Sequence, residues 1–104
     1  MSIWIFFNGE KERYMIKHKL IVQNSLGIHT RPAGLIVNIT SAAQSSVELI
    51  YSGQKVNAKS ILNLMMLAIE PGSEMTFIID GEDENKIANE LTELFNNKFY
   101  EDAS

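Results

Sequence analysis

With 104 residues the chain fits one domain of ordinary size and leaves no room for two. Its 45% hydrophobic and 21% charged residues exclude a disordered tail, and the lack of cysteine excludes a disulfide framework, a thiolate nucleophile and zinc–thiolate sites. Two histidines are too few for an all-histidine metal site, and a net charge of −4 argues against nonspecific nucleic-acid binding.

The charge is unevenly spread. Residues 1–14 balance two acids and two bases, residues 15–79 carry five bases and three acids, and residues 80–104 carry eight acids and two bases. The middle of the chain is thereby suited to hold an anion, while the C-terminal part reads as a solvated acidic face. Ile3 to Phe7 is an apolar run far below the ~20 residues that span a bilayer, without the basic start or small-residue cleavage site of a secretory signal. No membrane insertion is expected. Residues 1–14 read as an N-terminal extension to a domain over 15–104. Gly9-Glu10-Lys11-Glu12-Arg13 is encodable by an all-purine stretch just before Met15, as a ribosome-binding site translated by mistake would be. Met15 is accordingly the expected natural start.

From Met15 the periodicities define the elements. Ile16, Leu20 and Val22 alternate with Lys17, Lys19 and Gln23, the pattern of a half-buried strand. His18 within it reads as strand surface. Asn24-Ser25-Leu26-Gly27 is turn chemistry. A helix follows His29-Thr30, with Pro32 in its first turn and Leu35, Ile36, Ile39, Ala42 and Ala43 at helical spacing. Val47, Leu49 and Tyr51 mark a second strand, and Ser52-Gly53 turns into a short third one around Val56. Ser60 caps a short helix reaching about Ala68, and Pro71-Gly72 breaks the chain before a fourth strand with Met75, Phe77 and Ile79. Gly81 and Asp83 open a last helix, whose Ile87, Ala88, Leu91, Leu94, Phe95 and Phe99 form one stripe. The order β-α-β-β-α-β-α predicts an α+β layered domain, a small sheet covered by helices on one face.

The chemistry concentrates in Leu26-Gly27-Ile28-His29-Thr30-Arg31-Pro32-Ala33-Gly34. A histidine at a helix N-terminus faces unpaired backbone N–H groups and the positive end of the helix dipole. That field disfavours a charged ring, which keeps a neutral, nucleophilic imidazole available, and it favours an anion placed on or beside the ring. Arg31 can reach the same anion with a forked donor set. Gly27 permits a sharp turn before the histidine, and Pro32 stiffens the first helical turn. Nucleophile, anion cradle and rigid mount together describe a phosphoryl acceptor. In the helix after Ser60, the stripe of Ile61, Leu64, Leu67 and Ala68 is the expected core face. Leu62, Met65 and Met66 point elsewhere, which predicts a partner-docking patch beside His29 centred on Ile61, Leu62 and Met65.

This string, with Asn57-Ala58-Lys59-Ser60-Ile61-Leu62 and the stretch from Leu67 to Gly72, resembles the histidine-containing phosphocarrier (HPr) family of the bacterial phosphoenolpyruvate-dependent phosphotransferase system. The similarity runs from Met15 to about Phe99. It implies an open-faced β-sandwich, a four-stranded antiparallel sheet with three helices on one face, in a monomeric cytoplasmic protein. It also implies that His29 is phosphorylated on Nδ1 and that Arg31 stabilises the phosphate. Enzyme I would supply the phosphoryl group and an enzyme IIA domain would receive it. Ser60 matches the regulatory serine acted on by a dedicated kinase/phosphorylase in many family members. A phosphate there would be tolerated by the helix terminus, yet would place negative charge on the docking surface. No cofactor or metal is expected, because no P-loop, nucleotide fingerprint or carboxylate cluster occurs. The expected role is therefore a carrier rather than a self-contained enzyme.

Two alternatives stand beside this one. The ending Leu94-Phe95-Asn96-Asn97-Lys98-Phe99, with Leu64-Met65-Met66-Leu67, resembles the nitrogen-related branch of the family, whose phosphorelay is regulatory. A module of another class, an α+β binding protein never phosphorylated on His29, would have no use for the histidine.

Overall fold

The computed structural model describes residues 2–7 and 13–101, with side chains from Met15 onward. Its strands are β1 (Ser2–Phe7), β2 (Arg13–Ile21), β3 (Ser46–Tyr51), β4 (Gln54–Asn57) and β5 (Glu74–Asp80). Its helices are α1 (Thr30–Ser41), α2 (Ile61–Met66) and α3 (Glu84–Asn96), followed by a 3-10 turn over Lys98–Tyr100. The strands form one antiparallel sheet in the order β1-β2-β5-β3-β4. β2 to β5 are the four strands read from the sequence. The fifth, β1, comes from the extension and pairs with the outer edge of β2, from Ser2 opposite His18 to Phe7 opposite Arg13.

Period-two alternation lines the core faces up across the sheet. Ile16 lies opposite Ile79, and Ile79 opposite Val47; His18 lies opposite Phe77, and Phe77 opposite Leu49. All of these are buried, while Lys19 and Ile21 on the other face of β2 are exposed. The three helices cover the buried face, contributing Ile36, Leu64, Ile87, Leu91 and Phe95 to a single core. Phe77 of the sheet meets Phe95 of α3 edge-on at 5.8 Å, the arrangement that ring quadrupoles favour.

Four sequence expectations are corrected. His18 is not strand surface: it is 4% exposed, because its parity is that of Ile16 and Leu20. Its Nε2 bonds Thr92 Oγ1 on α3. Thr92 donates its own hydroxyl proton to Ala88 O at 2.8 Å, so the ring nitrogen is the donor to Thr92. The short helix ends at Met66, and Ala68 takes a left-handed conformation with φ 52°. With fewer than two turns, α2 sends only Leu64 fully into the core; Leu67 is half-buried, and Ile61 and Ala68 are exposed. Phe99 does not continue the α3 stripe, since that helix stops at Asn96. Lys98, Phe99 and Tyr100 have φ of 53°, 58° and 57°, a left-handed turn that swings the Phe99 ring into the core against Phe95, centroids 4.7 Å apart. Finally, the C-terminal acids are not uniformly solvated: Glu84 is buried, and the Glu101 side chain is 15% exposed.

Candidate functional site

The loop from β2 to α1 is pinned before it reaches His29. Gly27 has φ 76°, and a Cβ there would lie 2.6 Å from the carbonyl oxygen of Ile69, so only glycine lets the two backbones approach. Ile28 N then donates to that same oxygen at 3.0 Å. His29 is the N-cap of α1: its backbone is extended and its carbonyl accepts from Ala33 N at 2.9 Å. Its side chain makes no capping bond, which leaves the imidazole free for other work. Thr30 and Arg31 carry first-turn N–H groups beyond the reach of intrahelical acceptors, and Pro32 carries none.

The imidazole side chain is 39% exposed, and its Nε2 lies 2.8 Å from Oε2 of Glu101. Arg31 stands beside it, 52% exposed, with Nη1 3.9 Å from that same carboxylate oxygen. Nη1 also donates to Phe99 O at 2.7 Å. The two side chains singled out in the sequence therefore converge on one negatively charged group. Asn24 completes the wall: it is 3% exposed, and its Nδ2 donates to Glu101 Oε1 at 3.0 Å and to Gly27 O at 2.8 Å.

Glu101 and Asn24 escaped the sequence reading. Glu101 is separated from His29 by 72 residues and stood there as one acid among eight. Asn24 read as a turn residue, and nothing local pairs it with the C-terminus.

Ser60 lies at the N-cap of α2, where Oγ accepts from Asn63 N at 3.2 Å. The motif around it is structural as well. Ala58 is buried and its carbonyl accepts from Thr40 Oγ1 at 2.8 Å, while Lys59 Nζ donates to Ala43 O at 3.0 Å. Ile61, Leu62, Met65 and Met66 are 40%, 64%, 40% and 72% exposed, and Leu26, which the sequence reading left in the turn, is 69% exposed. Gly34 of α1 lies 3.9 Å from Ile61 Cδ1 by its ideal Cβ position, and Gly27 abuts Ile69 and Pro71. These contacts set α2 beside the first turns of α1 and the turn at Gly27 against the segment that follows α2. Among the described residues no group of three or more histidine, aspartate or glutamate side chains could hold a metal ion. No described helix is long and apolar enough to cross a membrane.

The family model described as the PTS HPr component phosphorylation site matches residues 16–97. The phosphocarrier protein HPr of Xylella fastidiosa (strain 9a5c) is 46% identical over 89 residues, 86% of this chain and 100% of that protein. The HPr-like protein Crh of Bacillus subtilis (strain 168) is 43% identical over 77 residues, 74% of this chain and 91% of that protein. Among solved structures, HPr from Thermoanaerobacter tengcongensis aligns with a TM-score of 0.79 at 32% identity, covering 83% of this chain and 97% of that one. The chain belongs to the HPr family of phosphotransferase-system proteins, which are phosphocarriers rather than enzymes.

Proposed function

We propose that His29 accepts a phosphoryl group on Nδ1 from enzyme I charged by phosphoenolpyruvate, and passes it to a histidine of an enzyme IIA domain. In each transfer one N–P bond breaks as another forms, in line, and the departing imidazole takes the bonding electron pair. Such an exchange needs positioning and charge neutralisation rather than a cofactor. The observation that carries this reading is an N-cap histidine whose side chain is not used for capping, with Arg31 meeting the same anion. Arg31 supplies charge and a planar donor edge to the phosphoryl oxygens. The exposed face of Ile61, Leu62 and Met65 docks both partners in turn, and methionine suits a surface that must fit more than one. Ser60 is the regulatory phosphorylation site, and the carrier works as a cytoplasmic monomer.

Incubation with phosphoenolpyruvate and enzyme I tests this directly. An acid-labile, alkali-stable phosphate should appear on the wild type, and none on His29→Ala. A His29→Ala protein that still took phosphate would place the acceptor elsewhere. The nitrogen-related branch is the second reading, supported by the resemblance of Leu94-Phe95-Asn96-Asn97-Lys98-Phe99 and Leu64-Met65-Met66-Leu67 to that branch. Preference for the first enzyme of that branch over the sugar-system one would select it.

A further inference from the structure

We propose that Glu101 is a positioning residue for His29, holding the proton on Nε2 so that the lone pair sits on Nδ1; this rests on the phosphocarrier reading above. A carboxylate at neutral pH only accepts hydrogen bonds, so the 2.8 Å contact between Glu101 Oε2 and His29 Nε2 requires the proton on Nε2. The other nitrogen is then the nucleophile.

The carboxylate is itself fixed. Its second oxygen accepts from Nδ2 of the buried Asn24, whose other N–H is taken by Gly27 O. A flipped Asn24 amide would set its oxygen against two acceptors, so the network admits one orientation. Arg31 Nη1, 3.9 Å from Oε2, offsets the carboxylate charge and ties the segment down through Phe99 O. The chain reaches this place through Lys98, Phe99 and Tyr100, three L residues with φ between 53° and 58°. Each is disfavoured there, and the buried Phe99 ring holds the turn. The strain delivers Glu101 back across the start of α1.

The arrangement suits transfer in both directions. The Nδ1 lone pair forms the N–P bond without a proton leaving that nitrogen, and the ring passes from neutral to cationic. A carboxylate 2.8 Å away favours the cationic form. On the return step the phosphoryl group leaves a ring that still carries its Nε2 proton, so the departing group is a neutral imidazole rather than an imidazolate. Asn24, Glu101 and His29 thus form a relay of orientation in which no proton needs to travel.

The test compares wild type, Glu101→Ala and Glu101→Gln. Long-range proton–nitrogen correlation spectra of the unphosphorylated proteins report the His29 tautomer, and kinetics with charged enzyme I report transfer. The expected result is a ring held as the Nε2–H tautomer in wild type and a mixture of tautomers in Glu101→Ala. That variant should lose about tenfold in kcat with KM nearly unchanged, with a modestly lower Tm because the buried Asn24 loses an acceptor. Glu101→Gln, whose single amide oxygen must serve both Asn24 Nδ2 and His29 Nε2–H, should recover the tautomer and the rate only in part. A Glu101→Ala protein with the wild-type tautomer, or one that transfers as fast or faster, overturns the proposal. Faster transfer would identify Glu101 as a competitor for the phosphate cradle. If the wild type takes no phosphate on His29, the phosphocarrier reading fails, and the tautomer comparison alone still decides whether Glu101 sets the ring proton.

Discussion

His29 and Arg31 do different work, and substitutions should separate it. The His29 side chain caps nothing, and the capping carbonyl belongs to the backbone. His29→Ala should therefore abolish phosphoryl acceptance while leaving stability within about 1 kcal/mol of wild type in urea denaturation. Arg31→Lys retains charge but loses the fork that can hold Phe99 O with one N–H and face the site with others. Its transfer rate should fall in both directions, by less than the ~2–4 kcal/mol that removing such a donor outright costs. Unchanged rates in a stopped-flow transfer assay would make Arg31 a surface charge.

Two short elements around the site can be tested in the same spirit. Gly27→Ala adds a Cβ 2.6 Å from Ile69 O at φ 76°. The left-handed backbone alone should cost about 1–2 kcal/mol, and relief of the clash must also pull Ile28 N from its bond to Ile69 O. Urea denaturation should show the loss, accompanied by weaker transfer because His29 is displaced. Ser60→Asp keeps an acceptor for Asn63 N at the start of α2, so the helix should remain capped and Tm nearly unchanged. The added charge borders Ile61, Leu62 and Met65, and it should raise the KM for the carrier with enzyme I at low salt, less so as ionic strength rises. A wild-type KM at low salt would sink both the docking face and the regulatory role of Ser60.

Across the whole molecule, one side chain joins the two long helices. Asp83, just before α3, accepts from Ser45 Oγ and, at 2.9 Å each, from Gln44 N and Ser45 N in the turn that follows α1. The Ser45 hydroxyl first, and the backbone N–H of Gln44 next, hold its carboxyl below the ordinary value of 3.8. A carboxyl lowered in the folded state stabilises the fold above its unfolded value, and that contribution is lost as pH falls through the folded one. Asp83→Asn, which turns an acceptor into a donor facing N–H groups, should lower Tm at pH 7. The gap from wild type should close once the pH drops well below 3.8. A gap that persisted at acid pH would assign the effect to packing rather than to the ionised carboxylate.

How much of this could be read in advance differs from residue to residue. The strand of Met75, Phe77 and Ile79 and the helix after His29 declared themselves through local periodicity and a first-turn proline. His18 was legible by parity, as the residue between Ile16 and Leu20, but its polar side chain masked a buried position that depends on Thr92 of α3. β1 pairs along β2, and its register rests on hydrogen bonds between separate segments rather than on any signal within Ser2–Phe7.

The local order of residues by itself determined the β-α-β-β-α-β-α core, the N-terminal position of His29 and its partnership with Arg31, because each depends on neighbours a few places away. Only the tertiary structure decided that Glu101 and Asn24 belong to the site. Lys98, Phe99 and Tyr100 have no intrinsic preference for a left-handed turn; they adopt one because Phe99 is buried against Phe95, and that burial carries the carboxylate to the imidazole. A contact between residues 72 positions apart is set by how the core closes, and no spacing rule along the chain encodes it.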